Sequence, residues 1–243
     1  MAELQVMGSG DAFGSGGKMQ TCFWINWNKK NLLVDCGATS SVAIKSIGKK
    51  IEDIDVIFIS HLHGDHIGGI PFILMELAYV AKDKNHRIEI FGPGGTKKRL
   101  QTLQNLLYPD SLRYTEAITE FREYSGADTW HDFSIETYDV QHSELSYPKG
   151  LRISHKGKIF AFSGDGEWSN NLLKLSDSAE LFICECYNYQ KTTPGHLNYL
   201  KLTEMYHLLS CKNIFLNHPG PELLDNIEKV EIPFLQDSQI IKF

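Results

Sequence analysis

Short apolar runs that stop at small or polar residues recur along the chain, and between them lie stretches with apolar residues every three to four positions. The first kind predicts buried strands, the second helices packed on them. Residues 3–8 (Glu-Leu-Gln-Val-Met-Gly) predict a strand that runs into a loop with glycines at 8, 10, 14, 16 and 17. Glycines that dense demand tight bends and close backbone approach. The P-loop lysine and hydroxyl are missing and no helical pattern follows, which argues against a phosphate cradle there. Residues 21–27 and 31–36, parted by Asn28-Lys29-Lys30, predict a hairpin. A short helix over 39–48, with Thr39 or Ser40 as its cap, precedes an apolar strand over 54–59. An apolar helix is predicted from 70 to about 83, a strand over 87–91, and a helix over 95–107 with Leu100, Leu103, Leu106 and Leu107 on one face. Residues 114–124 and 132–141 predict two strands of a second sheet, with Gly126-Ala127-Asp128 between them. Further strands are expected at 158–162, 181–186 and 213–217, a helix over 196–209, and a closing strand or edge hairpin after Pro233. The fold class is α/β.

Composition narrows the classes. A chain of 243 residues that is 42% hydrophobic can bury a sizeable core, and residues 1–243 are expected to form a single domain. The formal charge of −6 argues against an extended nucleic-acid surface, which is usually basic, but leaves room for a small anion. Five cysteines (Cys22, Cys36, Cys184, Cys186, Cys211) without a C-x-x-C pair fit reduced, buried thiols. The start reads straight into a strand, and no apolar run approaches the roughly 20 residues of a membrane span, so a cytoplasmic protein with no membrane partner is expected.

The chemistry concentrates at Ser60-His61-Leu62-His63-Gly64-Asp65-His66-Ile67-Gly68-Gly69, on the turn between the strand over 54–59 and the helix from 70. In α/β sheets, sites assemble at the carboxyl ends of strands. His61 and His63, two apart, can reach one cation; Asp65 and His66, beyond the bend, point to a second position. Three imidazoles and a carboxylate suit zinc, manganese or iron(II) better than calcium or magnesium. A polar surface turn rich in histidine is the alternative, and four potential ligands in six residues argue against it.

H-x-H-x-D-H after a hydrophobic strand resembles the metallo-β-lactamase superfamily of di-metal hydrolases. The resemblance implies a four-layer αββα sandwich with the metal site at one edge, between the two sheets. The strand, Gly-Ser-Gly-Asp loop and hairpin ending in Val34-Asp35-Cys36-Gly37 resemble the ribonuclease Z-like and phosphodiesterase branch. Further ligands follow from the likeness. His142, after the strand over 132–141, matches the third imidazole, although alone it would more readily be a surface residue. Asp165 in Ser163-Gly164-Asp165 matches the carboxylate that bridges two metals, with a helix cap as the alternative. His218, before Pro219-Gly220, matches the last imidazole. The implied centre has one metal on His61, His63 and His142, another on Asp65, His66 and His218, and Asp165 between them. Zinc is the expected metal, with manganese or iron open. Asp35 either orients the metal turn or is a simple turn aspartate. Glu185 and His196 match the branch's strand-end glutamate and following histidine, here with Cys184 where the branch usually has histidine. They are the expected catalytic pair together with Asp65, which both ligates and orients the attacking water; a helix N-terminal histidine is the alternative for His196.

The implied activity is hydrolysis of a small phosphodiester by a metal-bound hydroxide. A thioester, lactone or lactam hydrolase on the same scaffold is the alternative. A tRNA 3′-processing role is disfavoured because only the 22 residues 143–164 separate His142 from Asp165, barely enough for a hairpin and too few for an arm that grips tRNA. A non-catalytic metal-binding protein is less expected still. The apolar helix from 70 leaves room for a homodimer face. His86, His131, His155 and His207 are read as surface or structural, and Tyr79, Tyr108, Trp130, Trp168, Tyr187 and Tyr189 as core or pocket aromatics.

Overall fold

The computed structural model describes residues 2–83 and 86–243, and the chain divides into two compact units. The first comprises the N-terminal residues to Gly8, Met19–Glu123 and Gln236–Phe243; the second comprises Ser9–Lys18 and Tyr124–Leu235.

In the first unit, β1 (Glu3–Gly8), β2 (Cys22–Trp27) and β3 (Lys30–Val34) form an antiparallel meander. Asn28 and Lys29 turn the predicted hairpin with φ of 52° and 62°, the left-handed pair that a two-residue turn between twisted strands requires. Helix α1 (Ser40–Ser46) follows. The Thr39 hydroxyl does not cap it but accepts the Gln20 N–H at 2.9 Å. Strand β4 (Val56–Phe58) runs parallel to β3, and α2 (Gly64–Ile67) and α3 (Ile70–Tyr79) follow. Helix α3 ends before residue 83 because the Lys82 N–H is taken by Glu52 Oε2 at 3.0 Å rather than by a helical carbonyl. Strand β5 (Ile88–Gly92), α4 (Thr96–Leu107), α5 (Leu112–Ile118) and β6 (Thr119–Glu123) complete the run. The closing strand Ile240–Lys242 pairs antiparallel with β1, so the sheet runs closing strand-β1-β2-β3-β4-β5-β6.

Two expectations fail here. Residues 112–118 are helical, and 119–123 is the parallel edge of the first sheet rather than part of the second. The Ser111 N–H closes a turn on Tyr108 O at 3.0 Å and the Tyr114 and Thr115 N–H groups return to Ser111 O, so local helical bonds win over the weak alternation. Along α4, Leu100 is buried but Leu106 is 75% exposed and Leu107 also faces solvent. At 3.6 residues per turn Leu106 lies well off the Leu100 stripe, and Gln104 takes the inward place, donating to Ser111 Oγ at 2.7 Å.

The second unit holds β7 (Ala127–Trp130), β8 (Phe133–Asp139), β9 (Lys149–His155), β10 (Lys158–Phe162), α6 (Asn170–Ser176), β11 (Leu181–Glu185), α7 (Tyr199–Met205), β12 (Ile214–Asn217) and α8 (Pro221–Leu224), the closing strand becoming β13. Its sheet runs β12-β11-β10-β9-β8-β7, parallel from β10 to β12 and antiparallel elsewhere. Ala127 and Asp128, expected in the turn between two strands, instead open a strand paired with β8, and the turn falls at His131 (φ 51°). The 22 residues between His142 and Asp165 are taken up by a short turn and the β9–β10 hairpin inside this sheet.

Each unit has its own packed cluster, around Leu33, Ile57, Ile73 and Ile90 in the first and around Ala161, Leu175, Phe182 and Leu216 in the second. All five cysteines are free thiols, and burial pushes Cys36 up to about 12. Among the described residues no helix is long and apolar enough to cross a membrane.

Candidate active site

In the first unit the histidine turn leaves β4 beside the end of β3. The N–H of Asp35 donates to Phe58 O at 2.9 Å, which sets the two strand ends side by side. Asp35 adopts φ of 56° and is fully buried. Its carboxylate accepts the Ser60 N–H at 2.7 Å and the Ser60 hydroxyl at 2.6 Å, and lies 2.6 Å from His66 Nδ1. Of the two places open to Asp35, orienting the turn or a simple turn aspartate, these bonds give the first. With Nδ1 so held, His66 presents Nε2 for ligation, 3.2 Å from Asp65 Oδ2. The Ser60 hydroxyl, donating to Asp35, can only accept from His61 Nδ1 at 3.1 Å. That fixes the His61 tautomer and makes Nε2, 3.2 Å from His63 Nδ1, the atom that could hold a metal. Cys36 N–H donates to His66 O and Gly69 N–H to Cys36 O, at 2.7 and 2.9 Å. At Gly69 a Cβ would sit 2.3 Å from Gly37 O, so only glycine lets the turn close onto the β3 end.

In the second unit Asp165 and His218 follow β10 and β12, and Glu185 ends β11, three adjacent parallel strands. All three are buried. His218 (φ 65°) donates its N–H to Ser9 O at 3.0 Å and holds Nε2 3.2 Å from Asp165 Oδ2. Glu185 pairs through Oε1 with His196 Nδ1 and accepts the Leu197 N–H on Oε2 at 2.9 Å. Burial drives its carboxyl up to about 7, against the lowering pull of the His196 hydrogen bond and with a further rise from the Asp165 charge. Asp165, Glu185 and His196 each offer a polar atom within 4.8 Å of the others. His142 lies just past β8 and places Nδ1 2.6 Å from Gly195 O. Its ring is 4.9 Å from that of His196, and His196 in turn lies 4.7 Å from Tyr187 and stacks at 5.8 Å on His218.

His196 does not open a helix as expected. It sits in the turn before α7, whose cap is Asn198, with Oδ1 accepting the Lys201 N–H at 2.9 Å. Ser60 and Glu167 were not singled out from the sequence. Glu167 accepts the Gly195 N–H at 2.7 Å and so fixes the carbonyl that orients His142. Nothing in sequence pattern marks a backbone carbonyl such as Gly195. Of the candidate pocket aromatics, Tyr187 lies against these histidines, while Trp130 is buried against Phe133 and Tyr189 stacks on Tyr199.

The donor chemistry fits a borderline metal. Imidazole nitrogens and carboxylates bind zinc at about 2.0–2.2 Å, which makes the edge of a tetrahedral shell roughly 3.3–3.4 Å. The pairs His61–His63, Asp65–His66 and Asp165–His218 are each separated by 3.2 Å.

A family model described as Anti-Pycsar protein Apyc1 matches residues 2–241. Ribonuclease Z of Agathobacter rectalis is 26% identical over 277 aligned positions, covering 92% of this chain and 89% of that protein. Anti-Pycsar protein Apyc1 of Paenibacillus sp. (strain J14) is 38% identical over 112 positions, 44% of this chain and 38% of its own length. The metallo-β-lactamase fold protein YhfI from Bacillus subtilis superimposes with a TM-score of 0.81 over 100% of both chains at 20% identity. The structural likeness gives the fold and the matched family model gives the group: this chain belongs to the Anti-Pycsar protein Apyc1 family, within the ribonuclease Z-like branch of the metallo-β-lactamase-fold hydrolases.

Proposed function

We propose that this protein is a phosphodiesterase for a small phosphodiester, of the cyclic-nucleotide class, that works with two divalent cations. The observation that carries the reading is the His196–Glu185 pair beside Asp165: an imidazole oriented by a buried carboxylate, next to a candidate metal ligand. Such a group serves a leaving alkoxide, which needs a proton as the phosphorus–oxygen bond breaks. Membership of the Apyc1 family, and the ribonuclease Z relative, support phosphodiester chemistry over carbonyl chemistry.

In this reading His61, His63 and His142 would hold one cation, Asp65, His66 and His218 the other, and Asp165 would contribute a carboxylate to both. Two such cations supply Lewis acidity at the phosphoryl oxygens and bring the ionisation of water towards neutral pH. The chain's own residues do the rest. Asp35, Ser60 and Gly195 O hold their imidazoles in fixed tautomers and orientations. Asp65 orients the attacking water and takes its proton as the new oxygen–phosphorus bond forms. Protonated His196, held at Nδ1 by Glu185, gives its Nε2 proton to the departing oxygen as the ester bond breaks, so charge and protons balance.

The test is turnover of bis(p-nitrophenyl) phosphate and of a 3′,5′-cyclic nucleotide by zinc- or manganese-loaded protein, against a thioester and a lactone. Metal-dependent hydrolysis of the phosphodiesters, abolished by chelation and by Asp165→Ala, is expected. Turnover confined to the thioester or lactone would overturn the reading.

A further inference from the structure

The glycine-rich loop of the second unit has no part in the chemistry above, yet its conformation is fixed from within. Asp11 is fully buried. Its Oδ1 accepts the N–H groups of Phe13 and Ser15 at 3.2 and 2.8 Å, and its Oδ2 accepts the Ser15 hydroxyl at 2.7 Å. Gly14, Gly16 and Gly17 take φ of 67°, 66° and 75°, a run that side chains would strain. Leu224 packs beneath Gly16, where a Cβ would already lie 3.0 Å from Leu224 Cδ1. On this loop the Phe13 ring is 83% exposed and has no ring partner among the described residues.

Single exposed apolar side chains are ordinary on protein surfaces. Phe13 differs in its mounting and its place. Ser9, four residues upstream, accepts the N–H of His218 on its carbonyl at 3.0 Å. Four residues of chain span at most about 14 Å, so Phe13 stands within that distance of Ser9, which is bonded to the strand end that carries His218. Tyr187 stands at the same strand end, its ring Cε2 2.6 Å from where a Cβ on Gly220 would lie. The Tyr187 ring itself lies 4.7 Å from His196 and 6.0 Å from His218. A rigid loop tied to the catalytic strand end thus presents a bare aromatic face to solvent.

We propose that Phe13 is a specificity-determining platform on which the base of a nucleotide substrate stacks; this rests on the phosphodiesterase reading above. Every nucleobase offers a π-face, and stacking on an aromatic side chain strengthens binding by roughly 5- to 150-fold. The platform selects for a base without reading which base it is.

The experiment compares wild type, Phe13→Ala and Phe13→Trp, all as the metal-loaded full chain, on a 3′,5′-cyclic nucleotide and on glycerol 1,2-cyclic phosphate, which has no base. In Phe13→Ala the ratio of kcat/KM for the nucleotide to that for the glycerol ester falls about tenfold, through KM rather than kcat, and Phe13→Trp restores it. An unchanged ratio, an equal loss on both substrates, or no recovery with tryptophan overturns the proposal. Wild type inactive on both esters would defeat the phosphodiesterase reading separately. Calorimetric binding of a nucleoside 5′-monophosphate then decides about Phe13: weaker binding in Phe13→Ala supports the platform, and equal Kd overturns it.

Discussion

The two units carry their donors in opposite ways. In the first, His61, His63, Asp65 and His66 come from one turn of six residues, and Asp35 on the neighbouring strand holds the turn in place. In the second, His142, Asp165, Glu185, His196 and His218 lie far apart in sequence and follow or end strands β8, β10, β11 and β12 or lie in the turn before α7. Local chain geometry builds the first set. Sheet register builds the second, since Phe162 pairs with Ile183 and Glu185 with Asn217, which levels three strand ends. A residue in the first set is therefore tuned by near neighbours, and one in the second by elements that must first find each other.

The largest effect expected from this contrast is at Asp165. Asp165→Ala should lower phosphodiester turnover by at least about 10³-fold and reduce bound zinc measured by elemental analysis, while circular dichroism stays native. Full metal content with normal turnover would remove Asp165 from the centre. His196→Asn comes next, with kcat down on the order of 10²-fold and metal content unchanged. A loss confined to esters with poor leaving groups would sharpen its role as the proton donor. Asp35→Ala tests the local set: it frees His66 and Ser60 together, so metal affinity should fall roughly 10- to 100-fold, read by competition with a chromogenic chelator. An unchanged affinity would mean that the turn holds its own shape without β3. The smallest effect is Asn198→Ala, which removes the α7 cap at a cost of about 1 kcal/mol in urea unfolding. Because the cap stands two residues from His196, kcat should stay within about twofold if Glu185 alone orients the ring.

The same contrast explains what could be read from the sequence. The histidine turn and the hairpin through Asn28-Lys29 follow from spacing and turn chemistry that act within a few residues, while the sequence leaves Asp35 open between an orienting and a simple turn aspartate. Asp165, Glu185 and His218 had to be reached through a family likeness, because nothing in Ser163-Gly164-Asp165 alone says that its strand lies beside two others. Residues 114–118 and 127–128 depart from the expected strand and turn for a related reason. Their alternation is weak, and helix or strand was decided by the Ser111 turn bonds and by pairing with β8. Leu107 shows the limit of periodicity at a helix end, where an apolar residue faces water although the pattern puts it on the Leu100 stripe. Gly195 carried no signal at all, since what it supplies to His142 is a carbonyl oxygen.

The hairpin between β9 and β10 turns at Lys156 and Gly157, both exposed, with φ of 48° and 79°. Its tip bears none of the residues assigned to the chemistry. In protein-engineering terms it is a splice point: a guest segment entered there would lengthen the ribbon, and each doubling of guest length adds only about 0.6 kcal/mol of closure entropy. A basic guest at that tip would add a grip for a long polyanion to a chain whose own charge is −6, leaving the candidate metal-holding residues and His196 in their present sequence context.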